Sequence, residues 1–278
     1  MEQGLSSMDD GTTRKLTVRD LAARRAKGEP IVALTAYDAL MARLAEECGA
    51  DVLLVGDSVG MTLLGYKSTI PVTLEQSLHH TAAVCRGARR ALVIGDMPFM
   101  TYQINGDEAL RNAGRFLQEA GADGVKLEGG RTMAATIARL VAAGVPVLGH
   151  IGLLPQHVLA NGGYRVQGRT PEEAAALMDD AKAVEDAGAF ALVLEGIPAP
   201  LAERITAHLR IPTIGIGAGI GCSGQIQVAH DILGLFEDFV PRHTRRYAAL
   251  AGAMRQAFSA YADDVRHGRF PGPDESFQ

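Results

Sequence analysis

Tryptophan is absent, and aromatic residues make up only 5% of the 278 residues. That is too little to build a platform for stacking unpaired bases. Basic residues are not in excess either: 27 Lys and Arg stand against 32 Asp and Glu, a formal net charge of −5. Binding driven by counterion release needs a basic face, so a nucleic-acid partner is not expected. No apolar run approaches the roughly 18 residues that span a bilayer, and no membrane partner is expected. The stretch from Met1 to Gly11 lacks the apolar core of an export signal. Cysteine is scarce: Cys48, Cys85 and Cys222 lie far apart, without zinc spacing and in odd number. They read as small core hydrophobes in a reducing, cytoplasmic compartment.

Hydrophobic residues are plentiful at 47%. Residues 1–13 read as a flexible tail, and a helical basic stretch follows from Lys15 to Lys27. Then short Val-, Leu- and Ile-rich runs alternate with Ala-rich stretches at helical spacing. The runs are Ile31–Asp38, Asp51–Ser58, Ala91–Pro98, Gly124–Gly129, Pro146–Gly152, Phe190–Gly196, Pro212–Gly219 and Ile226–Leu233. Nearly continuous hydrophobicity suits parallel strands buried on both faces. The intervening stretches include Leu40–Cys48, Ala109–Ala120, Thr132–Ala143 and Pro171–Ala187. Several end at a glycine (Gly49, Gly121, Gly144, Gly188) suited to a left-handed helix cap. Eight such units in about 220 residues predict an α/β (β/α)₈ TIM barrel. A doubly wound sheet competes, but it usually carries a glycine-rich fingerprint after its first strand. The first run here ends in Ala36-Tyr37-Asp38. Residues 14–278 are therefore read as one barrel domain with C-terminal helices, helix-forming to about His267 and then a Pro/Gly tail.

Reactive groups of such barrels project from the C-terminal ends of the strands. Read that way, the strands end in Asp57-Ser58, in Asp96, in Lys126 and Glu128, in His150 and in Glu195. A charged group at the end of a buried strand is costly unless paired, hydrogen-bonded or metal-bound. One such residue is as readily a helix cap; a set on neighbouring strands points to a shared site. Asp57, Asp96 and Glu128 are hard oxygen donors without a supporting His or Cys cluster, which suits Mg²⁺ better than Zn²⁺. A 2-oxo acid would complete such a site as a chelator. Lys126 lies two residues before Glu128, on the same side of the strand. It fits a substrate anion or a Lys–Glu pair. Glu195 follows apolar Ala191–Leu194, a setting that raises a carboxyl pKa and suits proton abstraction; the alternative is a carboxylate that orients a neighbour. His150 is equally readable as a substrate-orienting proton donor and as a hydrogen-bonded interior residue.

Weaker features are the glycine run Gly215–Gly219, a backbone anion site or a tight turn, and the Gly162–Arg169 loop, a lid or a subunit contact. Arg242, His243, Arg245 and Arg246 read mainly as a solvated helix start, with contact to an acidic cofactor tail as the lesser reading. His79 and His80 read as helix surface or interface.

The strings themselves resemble those of the 3-methyl-2-oxobutanoate (ketopantoate) hydroxymethyltransferase family. They are Thr35–Asp38, Val55–Met61, Gly65–Thr73, Asp96–Phe99, Val125–Gly130, Gly149–Leu153, Gly162–Arg169 and Gly215–Gly219, in family order over about Lys15 to Phe277. The resemblance implies a barrel of the phosphoenolpyruvate/pyruvate type. It implies transfer of a hydroxymethyl group from 5,10-methylenetetrahydrofolate to 3-methyl-2-oxobutanoate, giving 2-dehydropantoate on the route to pantothenate and coenzyme A. It further implies Mg²⁺, a cytoplasmic location and a homo-oligomer, commonly a decamer. Carried over, Asp57, Asp96 and Glu128 are the metal-associated carboxylates, and Asp57, Ser58, Asp96 and Lys126 contact the oxo acid. Glu195 is the proton acceptor, and His150 sits where the family has an active-site histidine. The chain departs from the family pattern at Ser223, Gln227, Asn161 and His243-Thr244, away from these positions. A Mg²⁺-dependent 2-oxo acid lyase or mutase on the same barrel is the alternative; its relatives typically carry a nucleophilic Cys or a different loop after strand four, and here Lys126–Gly130 continues into Arg131-Thr132 with no Cys. A non-catalytic scaffold would predict disrupted strand-end carboxylates, and they are intact.

Overall fold

The computed structural model describes residues 14–237 and 239–277; the predicted tail, residues 1–13, lies outside them. The chain forms two compact units, one ending at Ile226 and the other beginning at Gln227.

In the first unit, helix α1 (Val18–Lys27) precedes strand β1 (Ile31–Thr35). Then follow α2 (Ala39–Glu47), β2 (Val52–Val55), the short α3 (Val59–Thr62) and α4 (Leu74–Gly87), β3 (Leu92–Asp96), α5 (Gly106–Gln118) and β4 (Gly124–Glu128). Next come α6 (Ala134–Ala142), β5 (Val147–Gly152), α7 (Pro171–Asp186), β6 (Ala191–Glu195), α8 (Ala199–His208), β7 (Thr213–Ile216) and β8 (Gly224–Gln227). The strands are parallel and close in sequence order, β1 to β8, into the expected barrel.

Alternation along each strand divides the core in two. One set of side chains fills the barrel: Ala33, Val52, Leu54, Leu92, Ile94, Leu148, Ala191, Val193 and Ile214. The other set faces the helices, as Val125, Leu127, Val147, Ile151, Leu192 and Leu194 do against Phe116, Ile137, Leu140 and Val184. At Gly95, on β3, a methyl group would lie 2.3 Å from the ring of Phe116, which is fully buried. Gly95→Ala is therefore expected to overpack this layer and destabilise the fold by about 1–3 kcal/mol, read as a lowered urea midpoint with an unchanged m value. An unaltered midpoint would mean that the ring moves aside freely.

The eighth unit differs from the sequence reading. Of the run Ile226–Leu233, only its first residues belong to a strand, which starts earlier, at Gly224; Ala229–Ile232 form a short helix, α9. No helix joins β7 to β8, so the connection is the glycine-rich turn after Ile216, with Gly217 and Gly219 at φ 62° and 79°. Strand β8 opens on a glycine because a side chain at position 224 would meet the Ile31 carbonyl oxygen at 2.4 Å. The predicted glycine caps hold, with Gly121 at φ 76° and Gly188 at φ 93°. Cys48 is exposed, so reading it as a core residue was wrong; it ends α2 on the solvent side. Burial pushes the half-buried Cys85 thiol up to about 11.

In the second unit, residues 239–249 are not helical. Arg242, His243, Arg245 and Arg246 therefore lie in irregular chain rather than at a helix start. Arg246 donates to the Phe236 carbonyl and Thr244 to the Gln227 side chain, bonds that tie this irregular stretch in place. Helix α10 (Leu250–Arg266) follows. Among the described residues no helix is long and apolar enough to cross a membrane.

Candidate active site

The positions that fill the barrel change character along each strand. On β3 the inward series is Leu92, Ile94, Asp96; on β5 it is Leu148, His150; on β6 it is Ala191, Val193, Glu195. On β4, Val125 and Leu127 face the helices, so Lys126 and Glu128 face the interior. Apolar side chains thus pack the lower barrel, and ionisable ones gather at the C-terminal rim. Register sets the neighbours: Asp96 lies beside Lys126, and Glu128 beside His150. Asp57 joins from the turn between β2 and α3. Asp57, Asp96, Lys126, Glu128 and His150 are all buried, and the Glu195 side chain is 18% exposed at the edge of the group.

Lys126 is the hub. Its Nζ donates to Asp96 Oδ2 at 3.0 Å and to Glu128 Oε1 at 3.3 Å. The backbone N–H of Asp57 donates to the same Asp96 oxygen, also at 3.0 Å. His150 stands between two glutamates, Nδ1 3.5 Å from Glu128 and Nε2 3.2 Å from Glu195. Ser58 shares a hydrogen bond with the buried Tyr37 phenol at 2.8 Å.

Three carboxylates around one ammonium leave an excess of negative charge out of water, and the acid equilibria follow. Burial and then the adjacent Asp96 push Asp57 up to about 8, against the pull of Lys126. Burial likewise raises Asp96, with Lys126 opposing. For Glu128, burial is outweighed by Lys126, His150 and the Gln156 N–H, which hold it down at about 2. Burial disfavours the Lys126 cation, yet Asp96, Glu128 and Asp57 raise its pKa well above the ordinary range. For His150, burial and Lys126 are overcome by the two glutamates, giving about 8.

The sequence reading thus named residues that the fold gathers. Lys126 is ion-paired with both Asp96 and Glu128. Among the described residues no three His, Cys, Asp or Glu side chains form a ready cation cage; the Lys126 ammonium lies between Asp96 and Glu128. The donor chemistry nevertheless fits a divalent ion. The site's acids outnumber its cationic groups, and Asp96 Oδ1 is buried without a hydrogen-bond partner, a costly state for a carboxylate oxygen unless a cation takes it. Asp38 shows the other fate of a strand-end acid: it caps α2 by accepting from the Met41 N–H at 2.8 Å. At the opposite rim Asp51 pairs with Arg24 and Arg90, closing the barrel bottom.

Two residues at the site escaped the sequence reading. Gln156 is buried on a 3₁₀ turn (Pro155–His157) after β5, and Tyr102 is buried in the loop after β3. Neither belongs to a periodic pattern; the only available signal was a polar residue in a rim loop. From the loop after β5, the Tyr164 phenol donates to Met61 Sδ of α3 at 3.7 Å, reaching the rim of β2.

Comparison with known proteins agrees with the geometry. A family model described as ketopantoate hydroxymethyltransferase matches residues 15–273. A 3-methyl-2-oxobutanoate hydroxymethyltransferase of Chloroflexus aurantiacus is 59% identical, covering 94% of this chain and 92% of its own. One of Syntrophus aciditrophicus is 54% identical, covering 95% and 97%. Among solved structures, phosphonopyruvate hydrolase in complex with oxalate and Mg²⁺ has a TM-score of 0.61 at 16% identity, over 94% of this chain and 93% of its own. 2,3-Dimethylmalate lyase, a PEP mutase/isocitrate lyase superfamily member, has a TM-score of 0.59 at 20% identity, over 95% and 93%. At such identities the structural likeness speaks for the fold alone. With its family match spanning nearly the whole chain and relatives more than half identical along their full barrels, this protein belongs to the ketopantoate hydroxymethyltransferase family.

Proposed function

We propose that this chain transfers a hydroxymethyl group from 5,10-methylenetetrahydrofolate to 3-methyl-2-oxobutanoate, forming 2-dehydropantoate, with Mg²⁺ held by Asp57, Asp96 and Glu128. The observation that carries the reading is the convergence of these acids, Lys126, His150 and Glu195 at one barrel rim, in a chain of this family. When bound, the divalent ion supplies electrophilic stabilisation of the charge that develops on the keto oxygen. Lys126 contributes a fixed positive charge beside that oxygen, and its third N–H is free in donor count to meet the substrate. Ser58, held by Tyr37, and Asp57 and Asp96 line the oxo-acid position. Glu195 removes the proton from the carbon next to the ketone. His150, cationic near neutral pH, orients the Glu195 carboxylate from one side. The resulting carbanion-like carbon attacks the folate-borne methylene, forming the new C–C bond as one C–N bond to folate breaks. Water then displaces the second folate nitrogen and supplies the hydroxyl, and tetrahydrofolate leaves with one proton from Glu195 and one from that water. Holding both reactants at one rim supplies the attack geometry.

The same reading has the enzyme in the cytoplasm as a homo-oligomer, commonly a decamer in its family. The stripe Leu250, Met254, Phe258, Tyr261 and Val265 along α10, exposed at 38–64%, supports assembly; its spacing is that of a helix seam.

The test is a product assay on oxo acid plus methylenetetrahydrofolate with Mg²⁺. Hydroxymethyl product is expected, and EDTA is expected to abolish turnover, with recovery on adding Mg²⁺. Turnover that survives EDTA refutes the metal assignment; cleavage of the oxo acid without folate favours a lyase.

A further inference from the structure

We propose that Gln156 is a positioning residue that aims the acids of β2 and β4 at the cation, an inference that rests on the proposed reading of Asp57, Asp96 and Glu128 as ligands. Gln156 is 2% exposed, and its side-chain amide uses both donors and both acceptor positions. Its Nε2 donates to Asp57 Oδ2 and to the Met97 carbonyl, both at 3.0 Å. Its Oε1 accepts from the Tyr102 phenol at 2.7 Å and from Gln103 Nε2 at 3.1 Å. Its backbone N–H donates to Glu128 Oε2 at 3.1 Å.

The network has only one polarity. The Met97 carbonyl can only accept, so the amide nitrogen must face it, and the same nitrogen faces Asp57. On the other side, the Glu128 N–H donates to the Tyr102 oxygen at 3.1 Å. That commits the phenol proton to Gln156 Oε1. The side chain therefore has no alternative flip that keeps its partners. One residue from the rim of β5 grips Asp57, on the rim of β2, by one carboxylate oxygen. It also grips Glu128 by the oxygen that Lys126 does not use. In both acids rotation about the last side-chain bond is fixed, leaving Asp57 Oδ1 as that residue's oxygen for the ion. Outer hydrogen bonds of this kind orient the groups that touch a metal, and losing one typically costs 10- to 100-fold in affinity.

The probe is Mn²⁺ alone, titrated into the full-length protein without substrates and followed by the EPR signal of the free ion. Gln156→Met keeps the length and bulk of the side chain and removes both donors and the acceptor. Tyr102→Phe keeps the packing and removes only the hydroxyl that fixes the amide. Gln156→Met is expected to weaken Mn²⁺ binding about 10- to 100-fold, and Tyr102→Phe by a smaller factor in the same direction. The double variant should be no weaker than Gln156→Met, because both changes break one chain of bonds. Circular dichroism checks the fold; if Gln156→Met fails to fold, Tyr102→Phe alone decides. Wild-type binding matched by both folded variants, or by Tyr102→Phe alone in that case, overturns the positioning role and leaves the metal reading intact. Absence of Mn²⁺ binding in the wild type overturns both.

Discussion

Glu195→Gln is expected to slow exchange of the substrate's C3 proton with D₂O by about 10²- to 10⁴-fold, the usual worth of a positioned general base. The oxo acid is incubated with Mg²⁺ and no folate, so the readout is proton removal and not group transfer. The substitution keeps the shape of the side chain at the end of β6 and keeps a polar atom near His150 Nε2, 3.2 Å away in the native site. What it removes is the capacity to accept a proton. Proton NMR of the remaining C3–H follows the exchange. Exchange within a few-fold of wild type would relocate the base. An equal loss of Mn²⁺ affinity would show instead that the site had been disturbed, since Glu195 lies outside the three acids assigned to the ion.

Lys126→Met is expected to destabilise the metal-free protein by about 3–5 kcal/mol, the typical effect of breaking a buried ion pair from one side. The Lys126 side chain is 5% exposed, and its two partners, Asp96 and Glu128, are 1% and 0% exposed. Methionine fills most of the volume but leaves three buried acids without their cation. Burial already raises Asp57 and Asp96, so the variant escapes part of the penalty by binding protons. The deficit should therefore widen as pH rises. Added Mg²⁺ should recover part of it, by mass action on the folded state. Urea unfolding at two pH values, with and without Mg²⁺, measures all of this. A loss under about 1 kcal/mol, well below the roughly 3–5 kcal/mol that breaking a buried ion pair from one side costs, would mean that Lys126 is not the group that balances these acids.

The strand ends were legible because β2 to β6 are buried on both faces. Their apolar runs are nearly continuous, and the first charged residue in each marks the rim. That logic found Asp96, Lys126, Glu128, His150 and Glu195 with no knowledge of their contacts. It failed where continuity was misleading. Ile226–Leu233 reads as one strand, but helix α9 takes over at Ala229, and a short apolar run carries no period that separates the two. It was also blind to Gln156 and Tyr102, since a loop residue has no pattern to betray its burial. Nor could it tell Asp38, a helix cap, from Asp57, two acids that each follow a strand by a few residues.

The sequence alone determined the order of the elements, the chemical identity of the groups at the rim and the family to which the chain belongs, because these depend on residue type and spacing along one dimension. Only the tertiary structure decided which oxygen faces which donor. Asp57 and Gln156 stand 99 residues apart, and closure of the barrel brings them to 3.0 Å. Local spacing does not encode such a pairing. It emerges when each buried polar atom must find one of the few partners that the closed sheet has left within reach.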